Sequence, residues 1–191
     1  MTSEQSGAPR LSRRGLLAAF AATAVTAAPA GAGVFGVLRG GGDVRRIRMY
    51  SGRTGESIDM IYWVDGKYIK PALQEISYFM RDWRENKAVQ IDARTVDIMA
   101  ASHALLGVDE PYLLLSGYRT PKTNAMLRSR SSGVARNSYH IRGQAADLRL
   151  KGRSVNQMAR AASTCAAGGV GTYYGSNFVH MDCGPQRHWT G

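Results

Sequence analysis

Apolar residues in this chain come in short runs, and glycines fall between many of them. There are 22 glycines in 191 residues, well above ordinary usage. That placement favours a loop-rich fold with short strands over a helical bundle. The length suits one domain with an appendage, and a hydrophobic content of 44% is enough for an ordinary core.

The periodicities give the elements. Residues 45–69 alternate imperfectly and are broken at SGRTGE and at VDGKY; Asp65-Gly66 is a hairpin signal, so two or three short strands are expected. Residues 70–88 carry Pro71 in the first turn and apolar side chains at helical spacing through Leu73, Ile76, Phe79 or Met80 and Trp83, which predicts an amphipathic helix with its aromatics in the core. Residues 92–108 predict a second helix, capped by Asp92 and ended by Gly107, with His103 a core or surface histidine. PYLLLSGYRT reads as a strand, 120–130 as a helix from Thr120-Pro121, HIRGQAADLRL as a loop running into a strand, and 155–169 as a helix closed by Gly168-Gly169. Two strands flank Tyr174-Gly175-Ser176-Asn177. Strands dispersed among helices without a βαβ repeat predict an α+β fold with a mostly antiparallel sheet flanked by helices.

The N-terminus stands apart. Arg13 and Arg14 precede an apolar, small-residue stretch that ends in A-x-A patterns near Ala30 and Ala32. This describes an export signal over residues 1–32, and S-R-R-x-L-L resembles a twin-arginine signal. The expected organisation is a leader over 1–32, a flexible lead-in over 33–44 and a domain over 45–191, exported through the twin-arginine pathway to the periplasm. The leader is too weakly apolar for a good spanning helix, so the mature form is expected to have no stable membrane span. Residues 1–32 hold three arginines and one acid, which leaves 22 basic and 13 acidic residues in the remainder. An exported basic domain is drawn to polyanions such as wall polymers or a membrane surface; export argues against nucleic acid as the partner. Cys165 and Cys183 lack the C-x-x-C spacing of a thiolate zinc site.

The chemistry concentrates in SYHIRGQAAD, residues 138–147. His140 and Asp147 are separated largely by small residues, which let the backbone pass close to an ion and a ligand. Imidazole and carboxylate both suit zinc, and a catalytic zinc needs three protein ligands and one open position. FVHMD is the best source of the third ligand: strand alternation puts His180 and Asp182 on one side, with Val179 and Met181 facing the core. Either of the two can bind a metal while the other orients a neighbour or contacts water.

Three segments carry a resemblance. Ser138, His140, Gly143, Ala145 and Asp147 spell S-x-H-x-x-G-x-A-x-D; Ser116, Gly117, Tyr118, Arg119 and Asn124 form S-G-Y-R-T-x-x-x-N; and residues 168–189 supply an ending with FVHMDCGPQRHW. Together these resemble the D-Ala-D-Ala metallopeptidase superfamily, in its exported subgroup of murein endopeptidase K-like enzymes, over residues 45–189. The resemblance implies the fold shared by these peptidases and hedgehog-type domains. It also implies a Zn2+ cofactor held by His140, Asp147 and His180, with peptidoglycan stem peptides as the substrate. Arg119 would bind substrate and steady the carbonyl as it becomes an oxyanion. Ser138 would contact backbone or substrate near the ion. Asp182 is the candidate general base and His188 the fallback; relatives place His-x-His or a preceding glutamate there, and the alternative role for Asp182 is a carboxylate that orients a ligand. Zinc would make hydroxide available from water near neutral pH to attack a peptide carbonyl.

Three functions follow. The leading one is a zinc endopeptidase on cross-linked stem peptides, expected to be monomeric; a carboxypeptidase trimming a terminal D-Ala is its variant. The second is a wall-binding module that keeps the zinc without efficient catalysis. The third is an exported nucleic-acid or polyanion binder, marked by salt-dependent binding and no need for zinc.

Overall fold

The computed structural model describes residues 43–165 and 168–191. The expected leader, and all of the lead-in except Asp43 and Val44, lie outside the described residues. Strand β1 (Val44–Tyr50) pairs antiparallel with β2 (Ser57–Val64), and β2 turns through Asp65 and Gly66, both at positive φ, into β3 (Lys67–Tyr68). A primed turn needs this backbone, which Asp-Gly adopts at little cost. Helix α1 (Lys70–Phe79) follows with Pro71 in its first turn, then α2 (Ala93–Leu106), β4 (Tyr112–Ser116) and α3 (Pro121–Arg128). A short 3-10 helix (Tyr139–Arg142) leads into β5 (Ala145–Arg149), then α4 (Val155–Thr164), β6 (Gly169–Tyr173), β7 (Phe178–Asp182) and β8 (Arg187–Thr190).

The strands form one sheet in the order β3-β2-β1-β4-β5-β7-β6-β8. The fold is α+β, but the sheet is mixed: β1–β4 and β6–β8 are parallel, and the other pairings are antiparallel. The core packs Ile47, Met49, Leu148, Val179 and Met181 of the sheet against Ile76 of α1, Val96 and Met99 of α2, and Met158 of α4.

The local signals that start and stop elements behave as side-chain chemistry requires. Asp92 accepts from the Arg94 N–H at the start of α2, and Gly107 closes it in the left-handed region at φ 58. Thr120 caps α3 by accepting from the Thr123 N–H, and Ser154 forms a capping box with Gln157 on α4. His103 of α2 is buried, with Nε2 2.7 Å from the Glu110 carbonyl.

Three expectations change. The first helix stops at Phe79, so Trp83 lies beyond it and is 37% exposed rather than in the core. The chain is diverted there because the buried Asp82 carboxylate accepts from the Thr120 N–H and hydroxyl and from the Arg84 N–H, bonds that a helical course would not offer. Gly168-Gly169 does not close α4, which ends at Thr164; Gly169 opens β6. Finally, β8 was not anticipated, because GPQRHW has no strand pattern apart from its parallel partner β6.

Candidate metal centre

The sheet register builds the site. Along one row, Ser116 of β4, Asp147 of β5, His180 of β7, Gly171 of β6 and Trp189 of β8 lie side by side. The next row carries Ala145, Asp182, Gly169 and Arg187. Strand alternation therefore sends Phe178, His180 and Asp182 to one face, while Val179 and Met181, both fully buried, enter the core.

His140 arrives from the 3-10 helix. Ser138 caps that turn by accepting from the His140 N–H at 3.3 Å, and Gly143 ends it at φ 66. An added Cβ at Gly143 would also press on the Gln90 carbonyl, so glycine is required twice over. The His140 Nδ1–H donates to the Gly117 carbonyl at 2.6 Å, since a carbonyl can only accept, and this leaves Nε2 facing the site. Nε2 of His140, Oδ1 of Asp147 and Nδ1 of His180 then lie 2.9–3.2 Å from one another. Tetrahedral zinc with bonds of about 2.0–2.1 Å spaces its ligand atoms about 3.3 Å apart. Two neutral-capable imidazoles and one carboxylate, all buried, fit a divalent ion of that size and softness.

Each donor is held from behind. Asp147 Oδ2 accepts from Arg119 Nη2, while Arg119 Nε donates to the Ser116 hydroxyl at 2.7 Å. His180 Nε2 lies 2.9 Å from Asp182 Oδ2. Asp182 is fully buried and takes a forked pair from Arg187, at 3.0 and 2.6 Å, together with the N–H groups of Gly169 and Gly184. Burial works against a charged His140 and pushes it below the ordinary histidine range. Burial opposes charge on His180 as well, but the carboxylates of Asp147 and Asp182 on either side hold it above that range. Asp147 is likewise held well below the usual carboxylate range: burial would raise it, and His140 and Arg119 outweigh that.

Glycines make these contacts possible. A Cβ on Gly169 would sit 2.7 Å from Asp182 Oδ2 and collide with the Arg187 guanidinium; a Cβ on Gly171 would sit 2.5 Å from the Trp189 ring. Their bareness lets Arg187 reach across β6 to Asp182 and lets Trp189 approach within 5.2 Å of the His180 ring.

The three donor residues line a cleft of about 420 Å³, as do Arg119 and Ser138. Asp182 and His188, the two residues weighed as general base, do not line it. Asp182 sits behind His180. His188 is exposed on the other side of β8, its Nδ1 3.4 Å from the Ser163 hydroxyl. The geometry gives Asp182 the orienting position. The sequence reading missed Arg187, Trp189 and Tyr173 as wall residues. Only the register with β6 shows that Arg187 and Trp189 share the face of His180 and Asp182. The S-G-Y-R-T-x-x-x-N motif contains Asn124 but gives it no role. Buried, it donates to the Ala135 carbonyl at 3.1 Å and so holds the 131–137 loop that forms part of the cleft wall.

Comparison with known proteins identifies the family. A family model described as "Peptidoglycan L,D-endopeptidase MepK" matches residues 39–189. A relative of that name from Escherichia coli (strain K12) is 46% identical over 136 residues, 71% of this chain and 75% of its own length. The "probable peptidoglycan L,D-endopeptidase MepK" of Haemophilus influenzae is 37% identical over 139 residues, 72% of this chain and 75% of its own. The chain belongs to the MepK family of peptidoglycan L,D-endopeptidases and is a metallopeptidase.

Proposed function

We propose that this chain is a zinc-dependent murein endopeptidase that hydrolyses peptide bonds in peptidoglycan cross-links, with the L,D specificity that its relatives' names carry. The observation that carries the reading is the convergence of His140 Nε2, Asp147 Oδ1 and His180 Nδ1 at a cleft, in a chain of this family. His140, Asp147 and His180 would hold the ion. Zinc, when bound, supplies a Lewis acid that polarises a carbonyl and lowers the pKa of water.

The chain's own groups have separate tasks. The Gly117 carbonyl and the Asp182 carboxylate each take the outward N–H of a ligand histidine and fix its tautomer and ring orientation. Asp182 in this reading positions His180 and does not move protons. Arg119 anchors Asp147 and lies on the cleft, where a permanently charged planar donor meets negative charge as it develops on the substrate oxygen. Ser138 holds the His140 turn. The aromatic wall of Tyr173, Phe178 and Trp189 shields one side of the site from water. The proposal extends to a fold of the type shared by D-Ala-D-Ala peptidases and hedgehog-type domains.

The proposal includes delivery. Residues 1–32 serve as a twin-arginine leader, 33–44 as a lead-in and 45–191 as the catalytic domain, acting in the periplasm on stem peptides as a monomer. Among the described residues no helix is long and apolar enough to cross a membrane.

The test is digestion of purified 3-3 and 4-3 cross-linked muropeptide dimers, with products read by mass. Conversion of 3-3 dimers to monomers is expected. Release of a terminal D-Ala with dimers intact would instead identify a carboxypeptidase, and tight wall binding with no cleavage a binding module.

A further inference from the structure

Seven of the sixteen described arginines in this chain form an ion pair. On β1, Arg45, Arg46 and Arg48 meet Asp97, Asp59 and Asp109. Arg81 meets Glu56, Arg94 meets Asp92, Arg119 meets Asp147 and Arg187 meets Asp182. The other nine form none among the described residues, and three of these gather near Trp83 and Arg119. Arg53, Arg84 and Arg130 are exposed, and none forms an ion pair with a carboxylate among the described residues. Glu85, the nearest acid in sequence, is taken by Lys122.

These charges are placed by a built structure. The buried Asp82 carboxylate accepts from the Arg84 N–H through one oxygen and from the Thr120 N–H and hydroxyl through the other. One carboxylate thus ties Arg84 to the residue that follows Arg119. Trp83, pushed out of the helix by the same arrangement, carries the Arg84 guanidinium 4.2 Å from its ring centre and that of Arg53 at 5.6 Å. Arg130 directly precedes the loop of the cleft wall that begins at Ser131. The charges sense one another. Partial burial, followed by the like charges of Arg53, Arg119 and Arg130 against the opposing pull of Asp82, lowers Arg84 from its ordinary value.

We propose that Arg53, Trp83, Arg84 and Arg130 form a docking surface, continuous with Arg119 at the cleft, for the free carboxylates of the peptidoglycan strands that adjoin the bond being cut. This rests on the reading of the chain as a peptidoglycan peptidase. Continuity favours that occupant: a strand seated at Arg119 must pass over a neighbouring surface, and this one presents exposed guanidiniums without an ion-pair partner beside a flat apolar ring. Carboxylates on the strand supply the missing partners, and the indole offers a stacking face for a sugar or peptide plane. Arg stacked on an aromatic ring is held in place and loses less freedom on pairing.

The test compares the full chain with the triple variant Arg53→Gln, Arg84→Gln, Arg130→Gln on three probes: intact sacculi, sacculi whose carboxyls have been amidated, and a soluble cross-linked dimer. Binding to sacculi is read by sedimentation at low salt, and cleavage by product mass. The expected result is roughly fivefold weaker binding of the variant to untreated sacculi and a matching rise in apparent KM. Cleavage of the soluble dimer stays within about twofold, and the two proteins bind amidated sacculi alike. Equal binding of variant and wild type to untreated sacculi would overturn the proposal. So would a difference that survives amidation, or an equal loss on the soluble dimer. If the wild type cleaves neither substrate, the peptidase reading fails, while the sedimentation difference still decides the patch.

Discussion

Asp182 Oδ2 lies 2.9 Å from His180 Nε2, on the side of the ring away from Asp147, and the same carboxylate is gripped by Arg187. A histidine proposed as a metal ligand is thereby held between two carboxylates, one beside it in the candidate site and one behind it. The rear carboxylate would fix which nitrogen carries the proton, and so which nitrogen is left for an ion.

If Asp182 positions His180, Asp182→Asn should lower metal affinity about 10- to 100-fold, and excess metal should restore most of the cleavage rate. The measurement is metal competition against a calibrated chelator, paired with a pH–rate profile. Loss of a titrating limb at saturating metal would make Asp182 the proton acceptor instead.

Arg119 uses two different nitrogens for two partners, Ser116 and Asp147. Lysine offers a single point charge and cannot reproduce that fork. Arg119→Lys should therefore reduce kcat by about 10²- to 10³-fold while metal content stays near that of the wild type. Normal kcat after reconstitution with metal would restrict Arg119 to holding Asp147.

Much of this site was legible because it is local. S-x-H-x-x-G-x-A-x-D is a capped turn ending in glycine and entering a strand, so residues 138–147 carry nearly all the information needed to bring His140 and Asp147 together. The pairing of His180 with Asp182 could be read from alternation alone. What was hidden depends on register between distant strands. Nothing near Gly169 says that its missing side chain makes room for Arg187, nor does anything near Trp189 place it against His180. Trp83 was misplaced for a similar reason: its helical spacing is genuine, but Asp82 bonds to Thr120 across the fold and turns the chain aside.

Gly171 tests that register directly. Alanine there would drive a methyl into the Trp189 ring. Gly171→Ala should cost roughly 1–3 kcal/mol in denaturant unfolding, with a shift in tryptophan emission. Unchanged stability and emission would mean that the β6–β8 pairing does not pack as described.

Acid sensitivity has a traceable source outside the metal site. The hydrogen bond from Arg94 leads the interactions that lower Asp92 from the ordinary carboxylate range to about 2. Its folded pKa is below its unfolded value, so its stabilisation is complete above about pH 4 and is lost as the pH falls through about 2. With Arg94 partly exposed, the contribution is about 1–2 kcal/mol. Asp92→Asn keeps a capping oxygen but cannot ionise, so its stability should fall less than that of the wild type over this interval when unfolding is followed by circular dichroism. Parallel curves for the two proteins would contradict the assignment.

The central claim is that His140, Asp147 and His180 hold one metal ion on which cleavage depends. The most direct test is to strip the chain with chelator, titrate zinc back, and follow bound metal and hydrolysis of a cross-linked dimer in the same samples. The account predicts that both rise together and level off at one equivalent, and that His140→Ala, Asp147→Ala and His180→Ala each lose the tight site. Full hydrolysis by the stripped chain, or undiminished zinc binding in those variants, would contradict it.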